Sequence, residues 1–285
     1  MKRRHRLFLL IPALLLAVRS WEIAFNTEIE SGFYKQPHYL LYLIMLAAVA
    51  AGMVLLGRAL RGRAPAPSDA LEPGKGIFLL CALTGAITAY GCLVKLWEIV
   101  RLHPMHHFFM NREQLAFLGF ADRWFKLEFV WALFGIAAAA WFILSAVSVF
   151  RFGALRGGKY FALVPVLWYC IRAVSRYLAA PINARDSVAV SSVASLIVLG
   201  WTWYAFAHYL NFLEKPRDLS RSVCRAFAAL CFTVGLSLPN FWLLTLRGSY
   251  ADAILLVADG LSAICAGLLA DRMILTAKEN KNVQS

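Results

Sequence analysis

"WALFGIAAAAWFILSAVSVF", residues 131–150, has no charged side chain and no alternation of apolar and polar residues. A helix of about 20 residues is about 30 Å long, which matches the hydrocarbon core of a bilayer. Lipid offers the backbone no hydrogen bonds, so a continuous apolar stretch of this length crosses a membrane as a helix. Other stretches of the same character precede and follow this one. The sequence therefore predicts an all-α fold, a polytopic transmembrane helical bundle.

The composition of the whole chain supports this class. Of its 285 residues, 61% are hydrophobic and only 16% are charged, which is more apolar than a soluble domain of this size can bury. The net charge of +13 would suggest nucleic acid as the partner of a soluble protein. Here the basic residues lie between the apolar stretches. We therefore expect the lipid bilayer, and no nucleic acid, as the partner of these charges.

We predict a single integral membrane domain over residues 1–285 with eight spans. The predicted spans are 7–26, 39–57, 77–100, 127–150, 160–180, 188–210, 226–246 and 252–272. Three of them contain a proline at which we expect a kink, namely Pro12, Pro165 and Pro239. Segment 101–126 is predicted to form an interfacial helix on the membrane surface.

The basic N-terminus and the short apolar run after it also fit a secretory signal. Arg19 stands where a cleavage site needs small residues, and a tryptophan and a glutamate follow it. We therefore expect an uncleaved first helix.

The distribution of basic residues predicts the orientation. If the N-terminus lies inside, the loops on that side carry most of the Lys and Arg residues, and the acidic residues favour the other side. Cytoplasmic loops carry such an excess of basic residues. We therefore expect a multi-pass protein of the cell membrane with both termini cytoplasmic.

The first and third spans end in the same short pattern. Arg19-Ser-Trp-Glu22-Ile and Lys95-Leu-Trp-Glu98-Ile each place a basic and an acidic side chain three residues apart, so that each pair shares a helix face. Both spans run outward, which places the two patterns at the same outer level of the membrane. The tryptophans are typical of the interfacial belt. The repetition also hints at a two-helix internal repeat.

Two arginines in the fifth span need partners from another helix. Arg172 and Arg176 lie four residues apart and present like charges on one face. Asp259 lies at a similar depth in the last span, and a charge within a span is costly unless it is paired or hydrated. The sequence therefore predicts an interhelical ion pair between Arg172 and Asp259.

These charges allow two interpretations. The candidate ligand-binding residues are Arg19, Glu22, Lys95, Glu98, Arg172, Arg176 and Asp259. In the first interpretation they line an outward-facing polar pocket that binds or transports a small anionic or zwitterionic solute. In the second they form a purely structural charge network in a structural or partner subunit of a membrane complex. We expect a small-molecule ligand in the first case and a membrane-protein partner in the second.

The sequence contains no catalytic signature. It has no G-x-S-x-G, H-E-x-x-H or phosphate-binding glycine loop, so we expect no catalytic residues, no enzyme activity and no cofactor. His103, His106 and His107 are close in sequence, but no nearby Cys or Asp supports a metal site. The six cysteines form no C-x-x-C pair and indicate neither a metal site nor a disulfide framework.

Two short motifs carry a family resemblance. They are Thr27-Glu-Ile-Glu30-Ser-Gly32-Phe33-Tyr34, and Pro165 with Trp168 and Arg172. They resemble the patterns Thr-x-x-Glu-x-Gly-Phe-Phe and Pro-x-x-Trp-x-x-x-Arg of a group of uncharacterised multi-pass bacterial membrane proteins, found in gut-type anaerobes. Tyr34 departs from the first pattern. The group has no known activity, so the resemblance implies a membrane fold and no chemistry.

Overall fold

A computed structural model of the protein describes residues 9–27, 39–61, 75–107, 112–152, 160–179, 187–211 and 219–283. Within these ranges the chain forms nine α-helices and no strand. They are α1 (Leu10–Asn26), α2 (Tyr39–Leu60), α3 (Lys75–His107), α4 (Arg112–Phe152), α5 (Val164–Ala179), α6 (Ser187–Asn211), α7 (Leu219–Ala229), α8 (Phe241–Leu246) and α9 (Tyr250–Val283). A π-helix, Leu230–Ser237, and a 3-10 turn, Leu238–Asn240, join α7 to α8. The all-α prediction is confirmed.

Seven stretches of the described residues are long and apolar enough to cross a membrane. They are Leu43–Leu60, Gly76–Arg101, Leu127–Phe152, Phe161–Leu178, Val188–Ala207, Leu219–Leu246 and Tyr250–Thr276. Each overlaps one of the predicted spans. The predicted first span, 7–26, corresponds to α1, which has 17 residues from Leu10 and is not among the seven. Residues 7 and 8 and most of the Thr27–Tyr34 motif lie outside the described residues.

The prediction of an interfacial helix over 101–126 is wrong. The helix α3 continues to His107 and α4 begins at Arg112, so this segment supplies the ends of two long helices. The charged residues after Arg112 disfavour lipid but do not interrupt a helix. With 41 residues, α4 is about 60 Å long, twice the hydrocarbon thickness. The helix α4 is therefore longer than the hydrocarbon core is thick.

The sixth stretch, Leu219–Leu246, is an interrupted helix that we call the broken span. It begins earlier than the predicted residue 226, because Arg221 is exposed while Leu219 and Val223 are buried, so a helix with one polar face is stable there. In its middle, the backbone N–H of Leu238 donates to the carbonyl of Thr233, five residues earlier. Pro239 follows and has no N–H to continue the ladder. The predicted irregularity at Pro239 is thus a π-helix followed by a 3-10 turn.

The two other prolines predicted to kink spans lie elsewhere in their helices. Pro12 is the third residue of α1, and Pro165 is the second residue of α5. The first turn of a helix tolerates proline because its N–H groups have no partner within the helix. Neither proline therefore lies in the interior of its helix, which is where a proline would kink it.

The bundle packs around α9 and the aromatic side chains of α4 to α6. The helix α3 packs against α4 and α9, α5 against α4 and α6, α1 against the π-helix, and α2 against α7. Trp203 of α6 makes edge-to-face contacts with Trp141 and Phe142 of α4, with ring centroids 5.4 Å and 5.1 Å away. Such pairs add about 0.5–1.5 kcal/mol to the burial of the rings.

A single serine joins three of these helices. Ser262 of α9 accepts hydrogen bonds on its Oγ from Tyr169 of α5, at 2.8 Å, and from the indole Nε1 of Trp203 of α6, at 2.7 Å. All three side chains are almost completely buried. Because lipid offers no replacement partner, these bonds fix α5 and α6 relative to α9.

Candidate functional site

One face of α9 carries the polar side chains on which the candidate site is built. Asp252 and Asp259 are separated by two helical turns, and Ser262 follows one turn later, so the three lie on the same side of the helix. Asp259 is buried. An unpaired aspartate at membrane depth costs about 2.5–3.5 kcal/mol to insert. These carboxylates therefore need basic partners, and α5 supplies them.

Arg172 and Asp259 form a bidentate ion pair. Arg172 Nη1 donates to Asp259 Oδ1 at 2.8 Å, and Nη2 donates to Oδ2 at 3.1 Å. Both side chains are buried, with 5% and 3% of their surface exposed. The predicted interhelical pair is thus confirmed. Two parallel charge-assisted hydrogen bonds fix the orientation of the guanidinium as well as its position.

Two indole rings border the same guanidinium. The Cζ atom of Arg172 lies 4.7 Å from the ring centroid of Trp168 and 5.7 Å from that of Trp131 on α4. Trp168 precedes Arg172 by one helical turn, which brings its ring to the same face. These cation–π contacts stabilise the charge of Arg172 away from water.

Arg176 pairs with the second aspartate of α9. Its Nη2 contacts Oδ1 of Asp252, nearer the end of both helices. About a third of the Arg176 side chain is exposed, so this pair is less enclosed than the first. Each of the two arginines of α5 is therefore neutralised by one carboxylate of α9. Their like charges on one helix face had predicted that both need partners from another helix. The sequence singled out Asp259 but not Asp252, because Asp252 lies at the helix end, where a solvated carboxylate is ordinary.

Lys95 makes its shorter contact across helices. Its Nζ lies 3.2 Å from Glu128 Oε1 on α4 and 4.0 Å from Glu98 Oε2 on its own helix. Glu128 also interacts electrostatically with Arg176 and Asp252, so this pair borders the α5–α9 pairs. The next basic residue along α3, Arg101, lies over the ring of Trp97 at 5.0 Å.

Arg19 and Glu22 form a separate, deeply buried pair. Nη1 of Arg19 donates to Glu22 Oε2 at 2.8 Å, and at most 1% of either side chain is exposed. Nη2 of Arg19 donates to Oδ1 of Asn240 at 3.0 Å. Nδ2 of Asn240 in turn donates to Ser191 Oγ on α6 at 2.7 Å. The pair predicted within α1 is confirmed, and Asn240 links it to the broken span and to α6.

The polar contacts of the candidate site thus fall into two groups, and the broken span contributes residues beside both. The first group contains Lys95, Glu98, Glu128, Arg172, Arg176, Asp252 and Asp259. The second contains Arg19, Glu22, Asn240 and Ser191. Asn240 was not predicted as a site residue, because its amide carries no charge and the predicted pairs join opposite charges. The available signal was an amide residue directly after a proline within an apolar span.

A small cavity lies between α5, α6, the broken span and α9. Its volume is about 20 Å³, which is room for about one water molecule. The polar residues that line it are Arg172, Arg176, Ser192, Ser195, Ser237, Asp252 and Asp259. Ser195 donates to the carbonyl of Ser192 on its own helix. The buried Oγ of Ser237 has no hydrogen-bond partner among the described residues.

Neither a metal-binding cluster nor a disulfide is present among the described residues. No three His, Cys, Asp or Glu side chains of the described part of the chain come close enough to hold a metal ion. All six cysteines are free thiols. The side chains of His103, His106 and His107 lie outside the described set, so the interpretation of these histidines stays a prediction.

Comparison with known protein families, with curated proteins and with solved structures finds no match for this chain. The function therefore has to be argued from the geometry of the charges and cavities. That geometry can hold helices together, and it can hold one water molecule or an ion of similar size.

Proposed function

We propose that this multi-pass membrane protein is a structural or partner subunit of a membrane complex, and that its outer charges hold its own helices in place. The observation that carries the proposal is the bidentate Arg172–Asp259 pair beside a cavity of about 20 Å³. A binding site for an organic solute has about 300–1,000 Å³. The charged side chains pair with one another, and the cavity beside them is far smaller than a binding site for an organic solute.

The α3–α4 hairpin supports a partner role. Lys95 and Glu128 lie near the point where α3 and α4 leave the apolar part of their spans. Beyond that point α4 contributes about 15 further residues, which extend about 20 Å as a helix. A helical hairpin that extends past the apolar part of its spans offers a surface on which a second protein can dock.

A second function is favoured by one specific observation. The unsatisfied Ser237 hydroxyl faces a cavity that both arginines line, at the end of a π-helix. Interrupted helices at membrane depth often frame binding sites in transporters, and π-helical segments are frequent at functional sites. This favours a protein that binds or transports a small anionic or zwitterionic solute, with the present arrangement as its closed state.

Access to position 237 distinguishes the two functions. We would make the variant Ser237→Cys, expose right-side-out membrane vesicles to a small anionic thiosulfonate, and measure modification of the introduced thiol by peptide mass spectrometry. Ser249→Cys is the matched control, since Ser249 lies in the short turn between α8 and α9 at the end of the bundle. The structural function predicts that the thiol introduced at position 249 reacts and that the thiol introduced at position 237 does not.

Reaction of the Ser237→Cys variant at a rate near that of the control would instead establish an anion-accessible path to the arginines and would overturn the structural proposal. A cationic thiosulfonate of similar size provides the charge comparison. If the thiol at position 237 reacts faster with the anionic reagent than with the cationic one, the result would support solute binding, because Arg172 and Arg176 line the same cavity.

A further inference from the structure

An arginine of α7 lies over an exposed indole ring of α6. The Cζ atom of Arg225 is 4.5 Å from the ring centroid of Trp201. Next to that ring, the buried hydroxyl of Thr202 donates a hydrogen bond to the backbone carbonyl of Arg225 at 3.0 Å. This bond holds α6 and α7 together at the level of the arginine. The position of the guanidinium over the ring therefore follows from a direct contact between the two helices.

Two further polar side chains lie beside this contact. Arg225 interacts electrostatically with Arg221, one turn earlier on α7, and with Tyr204, one turn after Trp201 on α6. We call these four residues the arginine–tryptophan patch. Arg221 is exposed, and Trp201 and Tyr204 expose 46% and 50% of their surface. The patch therefore presents two guanidinium groups and a phenol to whatever surrounds the bundle.

The arginine–tryptophan patch lies near one end of two membrane-crossing stretches. Arg225 is six residues from the beginning of Leu219–Leu246, and Trp201 is six residues from the end of Val188–Ala207. Each is thus about 9 Å along its helix from the same end of the bundle. Tryptophan and tyrosine are enriched where headgroups meet hydrocarbon. A guanidinium at this depth is costly unless an anion pairs with it or water reaches it.

The counter-charge of Arg225 comes from outside the described part of the chain. No carboxylate of the described residues forms an ion pair with Arg225. The ring of Trp201 stabilises the positive charge but does not neutralise it. Ile197 lies one turn before Trp201 and is 58% exposed, so the same face of α6 continues towards the hydrocarbon. A molecule with an anionic end at the patch and an apolar chain along Ile197 matches both features.

We propose that the arginine–tryptophan patch binds the phosphate of an anionic phospholipid, with one acyl chain along the exposed face of α6. Guanidinium groups suit this anion because they offer charge together with paired N–H donors for phosphate oxygens. The predicted orientation places the patch in the cytoplasmic leaflet, where basic residues attract anionic lipids. This inference depends neither on the proposed function nor on the role of the outer charges.

Photocrosslinking tests the site. The protein would be placed in phosphatidylcholine nanodiscs with a minor amount of phosphatidylglycerol that carries a diazirine near the glycerol end of one acyl chain, irradiated, digested and analysed by mass spectrometry. We expect adducts on α6 at or beside Ile197 and Trp201. Arg225→Gln should lower that adduct yield about fivefold, which corresponds to the contribution of about 1 kcal/mol that one basic residue makes to the attraction of anionic lipid.

Arg151→Gln is the matched control, since Arg151 is exposed at the end of α4, on the side of the membrane that is predicted to be the same. It removes one positive charge elsewhere and should leave the adduct yield on α6 unchanged. A phosphatidylcholine probe with the same diazirine should label α6 of the wild type less than the phosphatidylglycerol probe does. Equal losses in both arginine variants, or equal labelling of the wild type by both probes, would overturn the proposal.

Arg225→Lys retains the positive charge and serves as the second variant if Arg225→Gln does not accumulate. An ammonium group neither stacks on the indole nor donates two parallel hydrogen bonds, so the adduct yield should still fall below that of the wild type. A yield equal to that of the wild type would contradict the assignment of the phosphate to the guanidinium of Arg225.

Two other sources of the anion have their own readouts. Inorganic phosphate at millimolar concentration should not reduce the labelling, because the lipid is also held by its acyl chain. Loss of labelling in free phosphate would replace the lipid by a soluble phosphate compound. Dimers that Arg225→Gln converts to monomers, in a protein whose α6 the phosphatidylglycerol probe does not label, would replace it by a carboxylate of a second copy of the chain.

Discussion

The bond between Arg172 and Asp259 illustrates how a charge is tolerated inside an apolar bundle. Each side chain alone would be an ion out of water, and desolvation of such an ion costs several kcal/mol. Together they are neutral, doubly hydrogen-bonded and flanked by Trp168. Removing one partner leaves the other charge buried, whereas removing both leaves an apolar contact.

This asymmetry gives a prediction at the scale of the residue. Arg172→Leu and Asp259→Leu should each lower the free energy of unfolding by about 3–5 kcal/mol, and the double variant should recover most of that loss. The measurement is the midpoint of unfolding by sodium dodecyl sulfate in bicelles. Arg151→Leu is the control, because Arg151 is exposed at the end of α4.

A double variant as unstable as the two single variants added together would contradict this account, since it would mean that the two side chains stabilise the bundle through other contacts. Little change in either single variant would mean that water already reaches the pair.

At this scale, the sequence predicted those contacts that depend on charge and depth. Arg19–Glu22 follows from spacing on one helix, and Arg172–Asp259 from matching depth on two. The hydrogen bonds of Asn240 and Ser262 do not follow from the sequence, because neutral polar groups in a span have many alternative partners. Which one they find depends on how the helices are rotated.

At the scale of the element, the π-helix of the broken span determines how α1 packs. An additional Cβ on Gly235 would meet Leu15 Cβ at 2.8 Å and the backbone oxygen of Pro12 at 3.3 Å. Neither atom can move without α1. The contact at Gly267 is of another kind, since the atom at 2.8 Å is the terminal Cδ1 of Leu230, which can change rotamer.

These two glycines form a matched pair of substitutions. Gly235→Ala should destabilise the protein by about 1–3 kcal/mol, whereas Gly267→Ala should cost less than about 1 kcal/mol. The gain in helix propensity from Gly to Ala is similar for both and cancels in the comparison. Thermal unfolding of the purified protein, monitored by loss of the monodisperse peak, provides the readout.

Equal effects of the two substitutions would show that α1 adapts as easily as a leucine side chain does. In that case the close approach at Gly235 would not be what holds α1 to the broken span.

Hydropathy located most of the elements but misjudged their ends. Continuous apolar stretches identify a span by themselves, which is why the seven observed stretches overlap predicted ones. A helix that continues past the lipid, as α4 does before Leu127, loses its apolar signal without losing its hydrogen bonds. Hydropathy depends on what surrounds a helix, whereas the position of a helix end depends on capping and packing.

At the scale of the whole molecule, the direction of each span follows from the loops. We propose a cell-membrane location with both termini cytoplasmic, on the basis of the basic residues that the sequence places at the inner ends of the spans. Arg58, Arg221 and Arg272 lie at one end of the bundle, and Lys95 with Glu128 lies near the other.

Reporter insertions test this arrangement. A fluorescent protein that matures only in the cytoplasm should be fluorescent at Arg61, and an enzyme active only outside should be active at His106, because the stretch Gly76–Arg101 lies between them. The exchanged reporters should be inactive at both positions. Activity of the same reporter at both positions would show that the stretch Gly76–Arg101 does not cross the membrane. Activity of the external enzyme at Arg61 and fluorescence at His106 would show that the orientation is the opposite one.

The length of the α3–α4 hairpin has a mechanical consequence. Two packed helices form a stiff rod, and a rod of about 50–60 Å that is held at one half converts a small tilt at its base into a displacement of several ångströms at its tip. Lys95 and Glu128 bridge the two helices near the pivot. Any tilt of the hairpin would therefore act first on that bond and then on the neighbouring Arg176–Asp252 pair.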